Sequence, residues 1–251
     1  MLSKNKVSFL TSLSQKKFRD EHHCFIAEGT RLVTDLHGCF SCRMVVATET
    51  WATSNVLPEA TEIYLTDSTT FQKISSQKQP QGILAVYEKK TVQFDPGILS
   101  RELLLMLDNV QDPGNLGTIL RIADWFGIRH VICSPDSADI YNPKTIQSTM
   151  GALARVDVYY QPLQELLTTL DNIPVYGTFL DGDSIYETEL SSTGIIVMGN
   201  EGNGISPEIE KLVTRKILIP SFPVGQPTSE SLNVGVATAI VCAEFRRRMQ
   251  P

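Results

Sequence analysis

Short apolar runs alternate with amphipathic stretches from residue 103 onward. Residues 103–107 are all apolar, which is typical of a strand buried on both faces of a sheet. Asn115 then precedes a stretch with apolar residues at helical spacing, and we expect it to cap that helix. The predicted buried stripe is Leu116, Ile119, Leu120, Ala123 and Phe126. Residues 130–133 return as a strand, so this order predicts a parallel sheet covered by helices.

The same alternation continues around a glycine-rich loop near the C-terminus. Residues 195–198 predict a buried strand, residues 199–204 form the loop, and residues 206–208 have the cap, proline and acidic residue of a helix start. A further strand is predicted at residues 216–220. The last helix has an apolar stripe made of Leu232, Val236, Ala239, Ile240 and Ala243.

The ends of three predicted strands mark a candidate binding site. The strand at residues 175–180 leads into an Asp-Gly-Asp turn, and ligands of open parallel sheets bind at the carboxyl ends of strands. Thr178, Gly199 and Ile219 lie at or near such ends. We therefore expect a ligand site at this edge of the sheet.

The N-terminal part has a different organisation. Residues 28–36 predict a helix and residues 82–87 a strand, which indicates a small α/β domain. Proline and glycine interrupt the pattern after residue 91. We place a first domain at residues 1–92, a linker at 93–101 and a second domain at 102–251.

Charge is distributed unevenly along the chain. The net charge of −6 is unusual for a nucleic-acid binder, but residues 1–90 hold 11 basic and 9 acidic groups, whereas residues 91–251 hold 11 and 19. Lys16, Lys17 and Arg19 belong to an N-terminal stretch without acidic residues up to position 19. This stretch is either a solvated surface or an arm that contacts phosphate.

Cysteine usage and hydropathy indicate a cytoplasmic protein without a membrane span. The five cysteines are an odd number, which argues against a disulfide framework. Cys39 and Cys42 have metal-ligand spacing, yet no second such pair follows, so reduced thiols without metal are the favoured interpretation. No apolar run approaches the length that crosses a bilayer.

Three segments form a recognisable set: Asn-Leu-Gly-Thr-Ile-Leu-Arg at residues 115–121, Gly-Asn-Glu-Gly at 199–202, and Ser-Leu-Asn at 231–233. Together they resemble the motifs of the SpoU (TrmH-like) RNA 2′-O-ribose methyltransferases. The resemblance implies an α/β parallel-sheet domain with a deep trefoil knot, S-adenosylmethionine as methyl donor, and a homodimer. Residues 17–19, 25–29 and 81–85 resemble the small L30-like substrate-binding domain of ribosomal-RNA members.

The resemblance also implies roles for individual residues. Arg121 is expected to be catalytic with Asn115 as its companion, while Glu201, Ser231 and Asn233 order the loops and the substrate side. The donor is expected to contact Thr178, Gly199, Asn200, Gly202, Ile219 and Leu232. RNA is expected to contact Lys16, Lys17, Arg19 and Lys144. One departure is the long loop at residues 221–230, which lacks the methionine that usually follows Ile-Pro in the family.

Methyl transfer to a ribose hydroxyl requires alignment of oxygen, methyl and sulfur and removal of the hydroxyl proton. A guanidinium is a poor base, so we expect Arg121 to stabilise the developing alkoxide rather than to accept the proton. Ribosomal RNA is the favoured substrate. The alternatives are transfer RNA, methylation of a base nitrogen, and a non-catalytic RNA-binding or ribosome-assembly factor on the same scaffold.

Overall fold

The computed structural model describes residues 2–223, 226 and 229–249. Four residues of the loop at 221–230, namely Val224, Gly225, Pro227 and Thr228, therefore lie outside the described residues. Up to Thr91 the elements are α1 (Lys4–Ser12), α2 (Lys16–Glu21), β1 (Cys24–Glu28), α3 (Thr30–Leu36), β2 (Cys42–Thr48), α4 (Glu49–Ser54), β3 (Glu62–Thr66), α5 (Ser68–Ile74) and β4 (Ile83–Glu88).

The second part of the chain alternates strands with helices. Short 3-10 helices cover Pro96–Ser100 and Ala152–Ala154. The other elements are β5 (Leu103–Leu107), α6 (Pro113–Trp125), β6 (His130–Cys133), α7 (Pro143–Thr149), β7 (Asp157–Tyr160), α8 (Leu163–Thr168), β8 (Val175–Ser184), β9 (Gly194–Met198), α9 (Pro207–Glu210), β10 (Arg215–Leu218) and α10 (Val234–Arg247).

The chain divides into two compact units. Unit 1 contains the chain up to Thr91 together with Asp139–Ala154, and unit 2 contains Val92–Ala138 and the chain from Arg155 onward. The helix α7 thus belongs to unit 1, although it follows β6 of unit 2 in the sequence. The domain limits at residues 92 and 102 stay a prediction.

Unit 1 is built on a mixed sheet with the strand order β1-β4-β2-β3. The pair β2–β3 is parallel, whereas β4 runs antiparallel to both β1 and β2. Buried residues of α1, α5 and the sheet form its core, among them Leu10, Met44, Phe71 and Leu84. The predicted helix at residues 28–36 begins later than expected, because Glu28 still belongs to β1 and Gly29, at φ +104°, turns the chain into α3.

Unit 2 contains a parallel sheet with the strand order β10-β8-β9-β5-β6-β7. The central strands β5 and β9 are buried at every position, as expected for strands covered on both faces. The predicted Asp-Gly-Asp turn after residue 180 is wrong. Asp183 pairs again with Ile217 of β10, so residues 178–182 bulge out of a strand that continues to Ser184.

Two helices of unit 2 differ from their predictions in ways that matter for the site. Asp112, not Asn115, caps α6. The side chain of Asp112 accepts a hydrogen bond from the backbone N–H of Asn115 at 2.9 Å. The buried face of α10 contains Val234, Thr238, Val241 and Phe245. The prediction that the stripe through Val236 packs into the core is therefore wrong, since Val236 is 51% exposed.

Candidate active site

A cleft of about 660 Å³ opens where β8, β9 and β10 end. Parallel strands bring their carboxyl ends to the same edge of a sheet, which is why these three ends meet. The bulge of β8, the glycine loop after β9 and the segment before α10 surround the cleft. Its lining includes Thr178, Leu180, Gly199, Asn200, Glu201, Gly202, Ile219, Ser231 and Leu232.

Asn200 holds the glycine loop in a closed turn. Its backbone exchanges two 2.9 Å hydrogen bonds with Gly204, and its side-chain carbonyl accepts from the amides of Gly202 and Asn203 at 2.8 and 3.1 Å. The turn is so tight that a Cβ on Gly199 would lie 2.2 Å from the carbonyl carbon of Gly204. The Asn200 side chain also donates to the Asn109 carbonyl at 2.8 Å.

Asp108 fixes the far end of the same loop, and the sequence patterns described above do not single it out. Its carboxylate accepts from the Ser206 amide at 2.7 Å, and its own amide donates to the Met198 carbonyl at 2.9 Å. The carboxylate is buried. An acidic residue directly after the buried strand β5 was the available signal, because buried carboxylates need hydrogen-bond donors.

Three side chains from distant segments form a hydrogen-bonded chain beside the cleft. The side-chain amide of Asn115 donates to Glu201 Oε1 at 2.6 Å, and the side-chain amide of Asn233 donates to Asn115 Oδ1 at 3.0 Å. Asn233 in turn caps α10, since its Oδ1 accepts from the amides of Gly235 and Val236 at 3.0 and 3.3 Å. The side chain of Asn115 can form these hydrogen bonds because Asp112, rather than Asn115, caps α6.

The charged groups in the described lining of the cleft are acidic: Asp181, Glu201, Glu210 and Glu230. Lys216 lies beside the cleft and pairs with Glu210 at 2.5 Å and with Asp181 at 3.1 Å. The hydrogen bond to Glu210, followed by that to Asp181, raises the pKa of Lys216. The cleft therefore favours a ligand with positive charge over a polyanion.

Other predicted site residues have different surroundings. Thr178 donates to the Val197 carbonyl at 3.3 Å, which ties the bulge of β8 to β9. Ser231 and Leu232 line the cleft and are exposed. Arg121 is exposed on α6 and is not among the described residues that line the cleft of its own chain.

The predicted RNA contacts lie in unit 1. Lys16 and Lys17 are exposed in the first turn of α2, and Lys144 is exposed in the first turn of α7. Arg19 is a correction. Its side chain is only 2% exposed, donates to the carbonyls of Leu13 and Ser14 and pairs with Asp139 at 2.6 Å, so it cannot reach RNA.

Two further features concern metal and membrane. Cys39 is exposed and Cys42 is half-buried, and both are free thiols. Within residues 2–223, 226 and 229–249, no group of three or more His, Cys, Asp or Glu side chains is placed to hold a metal ion. In the same part of the chain, no helix combines the length and apolar character that crossing a membrane demands.

Comparison with known proteins gives two family matches and full-length relatives. The SpoU rRNA Methylase family model matches residues 102–243, and the MRM3-like substrate binding domain matches residues 4–85. The 23S rRNA (guanosine(2553)-2′-O)-methyltransferase RlmP of Bacillus subtilis is 29% identical over 245 residues, 96% of each chain.

Solved structures share the architecture of the whole chain. A TrmH-family protein from Porphyromonas gingivalis is 42% identical, with a TM-score of 0.85 and coverage of 99% of both chains. The AdoMet-bound rRNA methyltransferase from Sinorhizobium meliloti is 26% identical, with a TM-score of 0.83 and coverage of 100% of this chain and 97% of the other.

Proposed function

The chain belongs to the SpoU rRNA Methylase family, and on that premise we propose that it transfers a methyl group from S-adenosylmethionine to a ribose 2′-hydroxyl of ribosomal RNA. The recognition of the family from its three motifs and the α/β fold class are confirmed. Ribosomal RNA and this donor are also what the names of full-length relatives state for those proteins. The trefoil knot stays a prediction.

One observation carries the proposal. The three family motifs are far apart in the sequence, yet Asn115, Glu201 and Asn233, one from each motif, form a continuous hydrogen-bonded chain at one cleft. A protein that retained only the fold, without the activity, would not require this network of hydrogen bonds between the three motifs. The network therefore supports an enzyme over a non-catalytic factor.

The cleft fits the proposed donor. S-adenosylmethionine supplies an electrophilic methyl group on a positively charged sulfur, and the acidic lining complements that charge. Gly199 lets the loop backbone come close, since a side chain there would collide with Gly204. We propose donor contacts from Thr178, Gly199, Asn200, Gly202, Ile219 and Leu232.

Arg121 is proposed to act from a second copy of the chain. It is exposed and stands on α6, away from the lining of its own cleft. The helices α6 and α10 pack against each other and carry exposed apolar side chains, since Trp125 of α6 is 84% exposed and Val236 of α10 is 51% exposed. A second copy that covers this face would bury both side chains and form the proposed homodimer.

Residues 1–92 are proposed as the RNA-binding domain and residues 102–251 as the methyltransferase domain, and Lys144 of the second range belongs to the same compact unit as the first. Exposed Lys16, Lys17 and Lys144 supply positive charge for phosphate contacts. Such contacts are useful because the cleft itself is acidic. A cytoplasmic location is proposed because the proposed substrate is ribosomal RNA.

The test is methyl transfer by an Arg121→Ala variant. Wild-type protein is incubated with labelled donor and ribosomal RNA from cells that lack the gene, and the RNA is digested to nucleosides. We expect label on 2′-O-methylated nucleosides for wild type and a loss of at least about 10²-fold in Arg121→Ala, because stabilisation of the developing alkoxide is lost. Donor affinity by calorimetry should be nearly unchanged.

Arg101→Ala is the matched control, since Arg101 is an exposed arginine of unit 2 outside the cleft lining. It should retain wild-type transfer. Full activity of Arg121→Ala would remove Arg121 from the mechanism, whereas label on a base nitrogen would contradict the proposed reaction. Mixing Arg121→Ala with a variant unable to bind donor should restore transfer if Arg121 acts across the dimer.

A further inference from the structure

The proposed reaction needs a group that accepts the proton of the 2′-hydroxyl, and a guanidinium is unsuited to that role because it stays protonated. We propose that the Glu201 carboxylate accepts this proton as the general base. The inference rests on the proposed function. It goes beyond the loop-ordering role that the family resemblance implies for Glu201.

The composition of the cleft limits the choice of base. Among the described lining residues there is no histidine, cysteine or lysine, so the groups that can accept a proton at neutral pH are the four carboxylates. Asp181 and Glu210 are both engaged by Lys216, at 3.1 and 2.5 Å. An ion-paired carboxylate is a weaker base than one without a cation.

Glu201 differs from Glu230, the remaining carboxylate, in how it is held. Glu230 is exposed and has no side-chain hydrogen bond to a described residue, so no part of the described chain fixes its orientation. Glu201 is half-buried, and its Oε1 accepts from Asn115 at 2.6 Å. A base must be held in one orientation to lie within reach of the proton it removes.

The hydrogen-bonded chain engages only one of the two oxygens of Glu201. Oε1 receives the Asn115 amide, while Oε2 has no hydrogen-bond donor among the described residues. Asn115 is oriented by Asn233, which is itself fixed by the first amides of α10. Asn115 and Asn233 are therefore positioning residues that hold Glu201 while leaving Oε2 able to accept.

The step balances in atoms and charge. The 2′-oxygen forms a bond to the methyl carbon as its O–H bond breaks, and the proton moves to Oε2 of Glu201. The bond between sulfur and methyl breaks with its electron pair on sulfur, which gives a neutral thioether. The products are the 2′-O-methyl ribose, S-adenosylhomocysteine and a protonated Glu201, which returns its proton to water.

The test compares Glu201→Gln with wild type under single-turnover conditions, with saturating donor and ribosomal RNA from cells that lack the gene. Glutamine keeps an oxygen that accepts from Asn115 but cannot act as a carboxylate base. We expect the transfer rate at saturating donor to fall by about 10²–10⁴-fold. Glu208→Gln, an exposed glutamate of α9 outside the cleft lining, should have the wild-type rate.

Rescue separates a base from a structural group. Added formate should raise the rate of Glu201→Ala by at least about tenfold and should not change that of wild type, because formate supplies the missing carboxylate. A Glu201→Gln rate within about threefold of wild type would overturn the proposal. So would a loss in Glu201→Gln without formate rescue of Glu201→Ala, since Glu201 would then act only in positioning.

Failure of this inference differs from failure of the proposed function. If wild-type protein places no label on ribose, the proposed reaction itself is refuted. If wild type methylates ribose and the Glu201 variants behave as in the two contradicting results, the reaction stands and another group accepts the proton.

Discussion

Replacing Gly199 with alanine would place a methyl group inside the glycine loop of the cleft. The added Cβ would lie 2.2 Å from the carbonyl carbon of Gly204 and 2.3 Å from the amide nitrogen of Ile205. Non-bonded carbon atoms are normally about 3.5–4.0 Å apart. The obstructing atoms are backbone rather than the end of a flexible side chain, so the loop must move by more than about 1 Å.

The cost of that movement can be approximated from known effects of overpacking. Extra methyl groups in packed sites cost about 1–3 kcal/mol, and the rigid backbone places Gly199→Ala near the upper end. Alanine also reduces the entropy of the unfolded chain, which offsets about 0.4–1 kcal/mol. We expect a net loss of about 2 kcal/mol, or a Tm lower by about 4–8 °C for a chain of this size.

The assay measures both stability and donor binding. Thermal unfolding followed by circular dichroism should show the loss, and calorimetry should show donor affinity weakened at least about tenfold, or about 1.4 kcal/mol. Gly202→Ala is a matched control from the same loop. Within the described part of the chain its Cβ would meet only Asn200 Oδ1, at an ordinary 3.5 Å, so stability should stay within about 0.5 kcal/mol of wild type.

Two outcomes would refute this reasoning. Gly199→Ala could bind donor and unfold as wild type does, in which case the close approach of Gly199 to Gly204 has no role. The two variants could also lose equal stability, in which case the effect belongs to any substitution in the loop rather than to the steric collision.

Two further predictions concern buried charges. Asp139→Ala should cost about 3 kcal/mol in urea unfolding, because it removes the partner of buried Arg19; a loss below about 1 kcal/mol would contradict this role. Hydrogen bonds from Arg247 and Arg248 lower the pKa of Glu244 to about 2 from 4.5, so its stabilising contribution is present above pH 4.5 and lost as pH falls toward 2. The stability difference between wild type and Glu244→Gln should therefore shrink over that range, and a difference independent of pH would contradict the assignment.

Much of the candidate site could be predicted because its signals are local. A short apolar strand followed by a glycine-rich turn indicates a close approach of backbone whatever the rest of the chain does. The residues around Gly199 therefore line the cleft as the strand ends suggested. Four members of the predicted α6 stripe are confirmed as buried, namely Leu116, Ile119, Leu120 and Ala123, whereas Phe126 is the half-buried residue that ends the helix.

The predictions of the α6 cap and of the buried face of α10 are wrong because in each case two local sequence patterns fit equally well. Both Asp112 and Asn115 can cap a helix, and Pro113 decides between them because proline favours the first helical position. The α10 helix is apolar on two faces, and periodicity alone does not say which face is covered within one chain. Val241 is buried, whereas Val236 is half-exposed.

Long-range pairing could not be predicted from one sequence. The partner of Arg19 is Asp139, 120 residues away, so the basic stretch around Arg19 wrongly predicts an RNA contact. The polar chain through Asn115 joins segments 86 and 118 residues apart. Only the resemblance to a family of known architecture suggested that these segments meet.

Methylation of the sugar of ribosomal RNA by this chain can be measured by mapping 2′-O-methyl positions in total RNA. RNA from cells with the gene, without it, and with the Arg121→Ala form would be compared at single-nucleotide resolution. We expect that at least one ribosomal 2′-O-methyl position disappears without the gene and returns with wild type but not with Arg121→Ala. An unchanged set of 2′-O-methyl positions in ribosomal RNA, or loss of a base methylation instead, would contradict it.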